Sequence, residues 1–303
     1  MTDVLEAITT ILNRQQQNEI YIKTTHPRSN HHSHYHQHHQ LPPSTKPSIL
    51  TNLIMKTTAL FSLLGLAAAA PRGQKLVQRP ASAHIQRSQF NNNPTNTTQT
   101  RYSSNWSGAV QHGNGFNHVQ GTITVPRASG GSDAAASAWV GIDGDNCQSA
   151  ILQTGISFFG DGSFDAWFEW IPDYSHSFQG FDLSVGDQIK ISVDASSSTS
   201  GVAVLENLTT GKKVQHQFDS PPSTLCETDA EWIVEDFKSG GSLIPFANYG
   251  SVTFTDASAS GDSGTVTPNG ATVIDLRDKN TGEVLSTCST DGDDVTCNYT
   301  GSN

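Results

Sequence analysis

The strongest constraint on the fold of this chain is a series of short runs that alternate with a period of two and end in turn residues. The clearest series occupies residues 138–171, where three such runs are separated by turns rich in Gly and Asp. In the third run, DAWFEW, the side chains of Asp165, Trp167 and Glu169 fall on one face of a strand. A solvated face is the ordinary setting for acids on a strand, but here large aromatic side chains occupy both faces. The pattern therefore favours carboxylates that lie in a groove.

Similar runs recur along residues 101–303, and the segment LENLTTGKKV has the strand–turn–strand form of a hairpin. No segment shows a helical period sustained over ten or more residues. We predict an all-β domain in which two antiparallel sheets pack into a β-sandwich. A stretch of about 200 residues is long enough for one such domain.

The segments before residue 101 differ from this domain in composition. Residues 1–54 are rich in Gln, Asn and His, and we interpret them as an over-extended gene model. Residues 55–70 contain a starting Met, one Lys, a short apolar run and small residues, which is the layout of a secretory signal peptide. Residues 71–100 carry four Lys and Arg and no acid, which predicts a basic pro-segment. We therefore expect a secreted, extracellular protein with no membrane anchor, since the apolar run is short for a bilayer.

The predicted domain is strongly acidic. Residues 101–303 contain 25 Asp and Glu against 8 Lys and Arg, a net charge of −17. This charge disfavours nucleic acid as a partner. A basic pro-segment beside an acidic domain suggests electrostatic docking that relaxes when the carboxylates become protonated, although a plain spacer could have the same composition.

The four cysteines of the chain all lie in the predicted domain, and an even number favours two disulfides in a secreted protein. Cys288 and Cys297 flank the turn TDGDD, so a hairpin can bring them together, which leaves Cys147 to pair with Cys226. No CxxC motif or Cys/His cluster occurs, and we predict no metal site. Glycosylation sequons occur at four asparagines: Asn96, Asn105, Asn207 and Asn298.

Carboxylates are the main candidates for chemistry. The histidines of the domain lie beside turn or polar residues, and none has the setting of a Ser-His-Asp triad. Two strand-like segments carry acids: DAWFEW contains Glu169, and EWIVEDF contains Glu235. Two carboxyls that face each other across a groove suit glycoside hydrolysis, so the residues taken alone favour a β-sandwich glycosidase that uses this pair. A carbohydrate-binding module without catalysis is a further alternative.

Four segments together resemble the fungal glutamic peptidases, or eqolisins: AWVGIDGDNCQSAILQTG, DAWFEW, LENLTTGKKV and EWIVEDF. The resemblance extends over residues 101–303. It implies a sandwich of two antiparallel, seven-stranded sheets with a concave substrate groove. It also implies a secreted endopeptidase that acts on proteins at acid pH as a monomer, without metal or cofactor. By motif position the resemblance implies a catalytic dyad of Gln153 and Glu235. The residues that it implies for lining or supporting the groove are Trp139, Asp143, Asp165 and Glu169.

The residue types suit this chemistry. A side-chain amide such as that of Gln153 can donate an N–H to the oxyanion that forms when water attacks a peptide carbonyl, and it can also orient the water. A carboxylate such as that of Glu235 can take a proton from the water and return it to the leaving amine. The ordinary pKa of Glu, about 4.3, suits this work in acid.

Overall fold

The computed structural model describes residues 77–78, 100–239 and 242–302, all within one compact unit that spans residues 68–303. The predicted extension at 1–54 and the predicted signal peptide at 55–70 lie outside the described residues, as does nearly all of the predicted pro-segment. Across the described ranges, no helical segment has the length and apolar character that crossing a membrane requires.

The described residues form strands and no helix, as the alternating pattern predicts. The strands are β1 (Val77–Gln78), β2 (Arg101–Ser103), β3 (Trp106–His112), β4 (His118–Thr124), β5 (Ala135–Ile142), β6 (Ile151–Phe159), β7 (Phe164–Ile171), β8 (His176–Ser177), β9 (Gln188–Ser197), β10 (Ser200–Asn207), β11 (Lys212–Asp219), β12 (Asp229–Glu235), β13 (Lys238–Ser239), β14 (Ser242–Leu243), β15 (Ser251–Gly261), β16 (Gly264–Val266), β17 (Thr272–Arg277), β18 (Val284–Asp291) and β19 (Asp294–Tyr299).

Two sheets share the long strand β15, and their pairing is antiparallel except where β2 pairs in parallel with β17. The first half of β15 pairs with β19 and begins the larger sheet, which continues in the order β18, β17, β3, β12, β5, β6, β7 and β8. The second half pairs with β4 and belongs to the smaller sheet, which continues through β9, β10 and β11. The register shifts between Thr255 and Ser258, where the strand leaves one sheet for the other. The predicted architecture of packed antiparallel sheets is confirmed.

The principal core lies between the two sheets and is built from the inward residues of both. A second, smaller apolar cluster lies on the opposite face of the larger sheet, which we call the outer face, and includes Trp106, Trp139, Trp167 and Ile233. Strand β12 is therefore buried along its whole length, because the core covers one of its faces and tryptophans cover the other. Polar residues on the outer face of β12 are buried away from water, and their burial costs free energy unless they form hydrogen bonds.

Both predicted disulfides are present, Cys147–Cys226 and Cys288–Cys297. Among the sequons, Asn105 and Asn207 are buried and take part in hydrogen bonds, while Asn298 is exposed. Asn96 lies outside the described residues.

Candidate active site

The strand pairing aligns outer-face residues in rows across β12, β5, β6 and β7. Directly opposite residues of antiparallel strands share a face, so each row is a set of neighbouring side chains. The first row is Glu235, Ser137, Ser157 and Asp165; the second is Ile233, Trp139, Gly155 and Trp167; the third is Glu231, Gly141, Gln153 and Glu169.

Gln153 is held by its neighbour in the third row. The side-chain Nε2 of Gln153 donates to Oε2 of Glu169 at 2.6 Å, and both side chains are buried. The Oε1 atom of Gln153 has no hydrogen-bond partner among the described residues. A carboxylate accepts hydrogen bonds and cannot donate them, so Glu169 fixes which end of the amide points toward it. One amide N–H and the carbonyl oxygen of Gln153 are left for other partners.

Glu235 is held from the second row. The indole Nε1 of Trp139 donates to Oε2 of Glu235 at 2.9 Å, and both residues are fully buried. The ring of Trp139 packs edge-on against Trp106, with ring centroids 4.9 Å apart. Because an indole N–H can only donate, this bond favours the ionised form of the Glu235 carboxyl.

Two glycines allow Trp139 to lie between the two candidate catalytic residues. A β-carbon added at Gly141 would lie 2.9 Å from a ring carbon of Trp139 and 3.3 Å from the β-carbon of Gln153. A β-carbon added at Gly155 would lie 2.5 Å from that of Trp139. The ring of Trp139 therefore extends over Gly141 toward the third row, while its N–H is bonded to Glu235 in the first row.

Two carboxylates lock the loop after β5 to the loop before β12. The Asp143 carboxylate accepts the backbone N–H groups of residues 226–229, at distances from 2.6 to 3.3 Å. The Asp229 carboxylate accepts the N–H groups of residues 146 and 147 in return. The Cys147–Cys226 disulfide joins the same two loops. We call this arrangement the clasp. It fixes the position of β12, which carries Glu235, against β5, which carries Trp139.

The only grouping of potential metal ligands among the described residues is Asp143 with Cys147 and Cys226. Its two sulfur atoms form the disulfide and so cannot bind a metal as thiolates. The grouping is part of the clasp and does not form a metal site.

Buried acids near the clasp titrate unusually. Burial, followed by the charges of Asp229, Asp143 and Asp145, raises the pKa of Glu231 well above its ordinary value. Burial also raises the pKa of Asp143, against the effect of the N–H groups that it accepts. Burial alone would raise the pKa of Asp229, but hydrogen bonds led by that of His112 hold it below its ordinary value. Glu231 is therefore the acid of this group that most strongly favours its neutral form.

The structure brings most of the predicted site residues together on the outer face. Gln153, Glu169, Trp139 and Glu235 are linked as described, and Asp165 lies half-buried at the outer end of the first row. Asp143 lies outside the three rows, in the clasp.

Sequence reasoning did not single out Ser137, Ser157 or Glu231. A signal was available, since Ser137 lies two residues before Trp139 and Glu231 lies four before Glu235, spacings that return to the same face of a strand. The spacing does not reveal which side chains lie opposite on the neighbouring strands, and that requires the register.

Comparisons of sequence and of structure both match this chain to the same group of peptidases. A family described as the peptidase A4 family matches residues 104–299. Aspergillopepsin-2 of Aspergillus niger is 49% identical over 227 residues, which covers 67% of this chain and 80% of the relative. Scytalidopepsin B of Scytalidium lignicola is 44% identical over 257 residues, which covers 80% of this chain and 98% of the relative.

Solved structures agree with these matches. The crystal structure of scytalido-glutamic peptidase with a transition state analog inhibitor has a TM-score of 0.62 and 47% identity, over 65% of this chain and 98% of the other. The aspergilloglutamic peptidase from Aspergillus niger has a TM-score of 0.53 and 53% identity, over 55% of this chain and 100% of the other.

Proposed function

The chain belongs to the peptidase A4 family, and on that basis we propose that it hydrolyses peptide bonds of proteins in acid with Gln153 and Glu235 as its catalytic pair. It is a glutamic-type peptidase, like the relatives that it matches. Its substrates are proteins and peptides, and the reaction that we propose uses water as the nucleophile.

Glu235 acts as base and then as acid. Its carboxylate takes a proton from a water molecule as the water oxygen bonds to the scissile carbonyl carbon. The same carboxyl then gives the proton to the leaving nitrogen as the C–N bond breaks. The Trp139 N–H holds one carboxylate oxygen throughout, at 2.9 Å from Oε2. This bond orients the carboxylate and stabilises its ionised form before the attack.

Gln153 stabilises the tetrahedral intermediate. One of its amide N–H bonds is committed to Glu169, and the other can donate to the oxyanion. Because Glu169 fixes the amide in advance, little reorganisation accompanies the development of charge, which is the condition under which such donors are effective. The carbonyl oxygen of Gln153 can accept a hydrogen bond from the attacking water.

The observation that carries the proposal is that both side chains are held on one face of the sheet. The Trp139 N–H donates to Glu235, and the Gln153 amide donates to Glu169. Trp139 lies in the row between them. The glycosidase alternative is not favoured by the relatives, which are peptidases. It also makes no use of Gln153, whereas the Glu169 carboxylate that it requires for catalysis is bonded to the Gln153 amide.

We place the active protein outside the cell, as a monomer made with a pro-segment. The support for secretion is the signal-like layout of residues 55–70 and the two disulfides of the domain. Removal of residues 71–100 in acid would then precede or accompany activation.

A parallel digest tests the proposal. The full chain, its Glu235→Gln variant and its Glu169→Gln variant are incubated at pH 3 with a denatured protein and with a polysaccharide. We expect the unsubstituted chain to cut only the protein, Glu235→Gln to cut neither substrate, and Glu169→Gln to retain part of the proteolysis. Proteolysis by Glu235→Gln would refute the proposed role of Glu235. Cleavage of the polysaccharide that both variants lose equally would support the glycosidase instead.

A further inference from the structure

A pair of buried hydroxyls lies between the proposed catalytic carboxyl and a second carboxyl three strands away. Ser137 lies directly opposite Glu235 in the first row, and Ser157 lies directly opposite Asp165. The two hydroxyl oxygens are 2.7 Å apart. Glu235, Ser137 and Ser157 are buried, while Asp165 is half-buried at the end nearest solvent. The row is thus a line of polar groups that begins at the catalytic residue and ends at the edge of the buried region.

The two serines differ from their surroundings. On the outer face their neighbours in the second row are Trp139 and Gly155, and a buried hydroxyl in such a setting is costly unless it is hydrogen-bonded. The serines bond to each other, and either one can be the donor. When Ser157 donates to Ser137, the O–H of Ser137 can point along the row toward Glu235. When Ser137 donates to Ser157, the O–H of Ser157 can point toward Asp165.

We propose that Ser137 and Ser157 form a hydroxyl relay through which Asp165 and Glu235 share one proton. When Asp165 is protonated it donates to Ser157, which donates to Ser137, which donates to the Glu235 carboxylate. When Glu235 is protonated all three donations reverse. In passing from the first state to the second, Asp165 loses a proton, each serine loses one and gains one, and Glu235 gains one, so the total charge is unchanged.

The relay would stabilise Glu235 as the carboxylate, which is the form that acts as a base. With the proton on Asp165, the Glu235 carboxylate accepts hydrogen bonds from both Ser137 and Trp139 and is stabilised as a base. Two carboxyls that share a proton titrate as a pair, and the form with a single proton persists over a wider pH range than either acid alone would allow. Ser137, Ser157 and Asp165 are positioning residues, because they act through Glu235 and need not touch the substrate.

Few other ionisable groups on these strands face Glu235. Strand β12 contributes Glu231 and Asp229 toward the clasp, and β7 contributes Glu169, which is bonded to Gln153. Strand β3 contributes only His112, which lies opposite Asp229 at the far end. The outer-face positions of β5 and β6 in the three rows hold no ionisable side chain.

The acid side of the pH profile of kcat/KM tests the relay, because it reports the ionisation of the essential base in the free enzyme. Ser157→Ala removes one hydroxyl of the relay. Asp165→Ala removes the carboxyl that donates to Ser157 and so sets the direction of the hydroxyl donations. In both variants we expect the midpoint of the acid limb to rise by about 0.5 to 1 pH unit, since the Glu235 carboxylate loses an aligned donor. The double variant should shift no further than the larger single shift, because both changes interrupt the same relay.

Conservative changes provide the controls. Asp165→Asn retains an N–H donor at the end of the row, so its acid limb should stay where it is in the unsubstituted enzyme. Thr253→Val breaks a second cross-strand hydroxyl pair of the larger sheet, which Thr253 forms with Thr296 at 3.0 Å, and should cause no shift. Melting curves at pH 3 establish that each variant is folded. Ser137→Ala interrupts the same relay and replaces Ser157→Ala if that variant does not fold.

The direction of the shift decides the outcome. If Asp165 acted only as a nearby negative charge, Asp165→Ala would lower the pKa of Glu235 and move the acid limb to lower pH. That result, or a Ser157→Ala profile identical to that of Thr253→Val, would overturn the relay. The relay rests on the proposed function, and Glu235→Gln in the same series separates the two. An active Glu235→Gln enzyme refutes the catalytic role itself, whereas unshifted profiles with an inactive Glu235→Gln enzyme refute only the relay.

Discussion

The two ends of strand β12 carry acids in very different surroundings. At the first end, Asp229 accepts two backbone N–H groups and is also bonded to the side chains of Asn146 and His112. At the other end, Glu235 accepts the indole N–H of Trp139 and lies opposite Ser137 in the strand register. Both acids are fully buried, on the same face of the same strand.

The two carboxylates differ in the kind of hydrogen-bond donor that holds them. The Asp229 carboxylate accepts enough donors to compensate its burial, and its bonds close the clasp, so it can do little else. Glu235 is oriented by a rigid donor and retains the capacity to exchange a proton, which catalysis requires. Asp229 is therefore a structural acid held by backbone donors, whereas the rigid indole of Trp139 orients Glu235 for the role that we propose.

Loss of the clasp disulfide should cause the largest change in stability. Replacing Cys147 and Cys226 by Ala opens a link between residues 79 positions apart, which on the chain-entropy model costs about 4.5 kcal/mol of unfolding free energy. The matched control replaces Cys288 and Cys297, which are 9 positions apart, and should cost about 2.5 kcal/mol. Urea unfolding at pH 4 measures both. A smaller cost for the clasp disulfide than for the control would show that the clasp adds little.

Shortening Gln153 should affect turnover and leave stability nearly unchanged. Gln153→Ala removes the donor to the oxyanion, and the loss of one such donor lowers kcat by about 10²–10³, or about 2.7–4 kcal/mol. Steady-state kinetics on a peptide substrate at pH 3, with melting curves for the same samples, measure both effects. A loss of less than tenfold would mean that the oxyanion is stabilised elsewhere.

Two buried acids, one on β12 and one directly after it, should make the protein less stable as pH rises. Burial and neighbouring acids raise the pKa of Glu231, and burial followed by the charge of Asp278 raises that of Asp236 to about 8. A raised folded-state pKa contributes stability that is present below the unfolded pKa and is lost as pH rises through the folded one. The melting temperature should therefore fall between about pH 4 and pH 8. A melting temperature that rises over this range would contradict the assignment.

The variant Glu231→Gln sharpens that test. Gln has nearly the same size as Glu and carries no charge at any pH, so the fall in melting temperature between pH 4 and pH 8 should be smaller than in the unsubstituted protein. Asp133→Asn, at an exposed position, is the matched control and should leave the fall unchanged. An equal effect of the two substitutions would assign the pH dependence to the overall charge of the domain.

Much of the fold could be predicted from local pattern, because the alternation in DAWFEW assigns Glu169 and Trp170 to opposite faces, and the structure shows that Trp170 lies in the core. The disulfide pairing was also predictable, since the turn before Cys297 brings it close to Cys288. The passage of β15 from one sheet to the other was not, because it depends on a register shift near Thr255 that leaves no distinct pattern in the sequence.

The candidate site was predictable only in part, because its geometry also depends on which strands pair. Its residue types and motifs point to Gln153 and Glu235, but alternation assigns a side chain to a face and not to a neighbour. The bonding of Asp143 to the loop before β12, the burial of Glu231 and the alignment of Ser137 with Glu235 all depend on how distant strands pair. Pairing between segments about 100 residues apart is a tertiary property that a local pattern cannot specify.

Turnover and stability measured side by side on Glu235→Gln and Asp229→Asn test the central claim most directly. At pH 4, Glu235→Gln should lose turnover by at least about 10³ and keep its melting temperature, because the amide still accepts the Trp139 N–H. Asp229→Asn should lose about 1.5–3 kcal/mol of unfolding free energy, as expected for weakened bonds to a charged acceptor, and retain turnover within about tenfold below its melting temperature. An inactive but fully stable Asp229→Asn enzyme, or an active Glu235→Gln enzyme, would contradict the account.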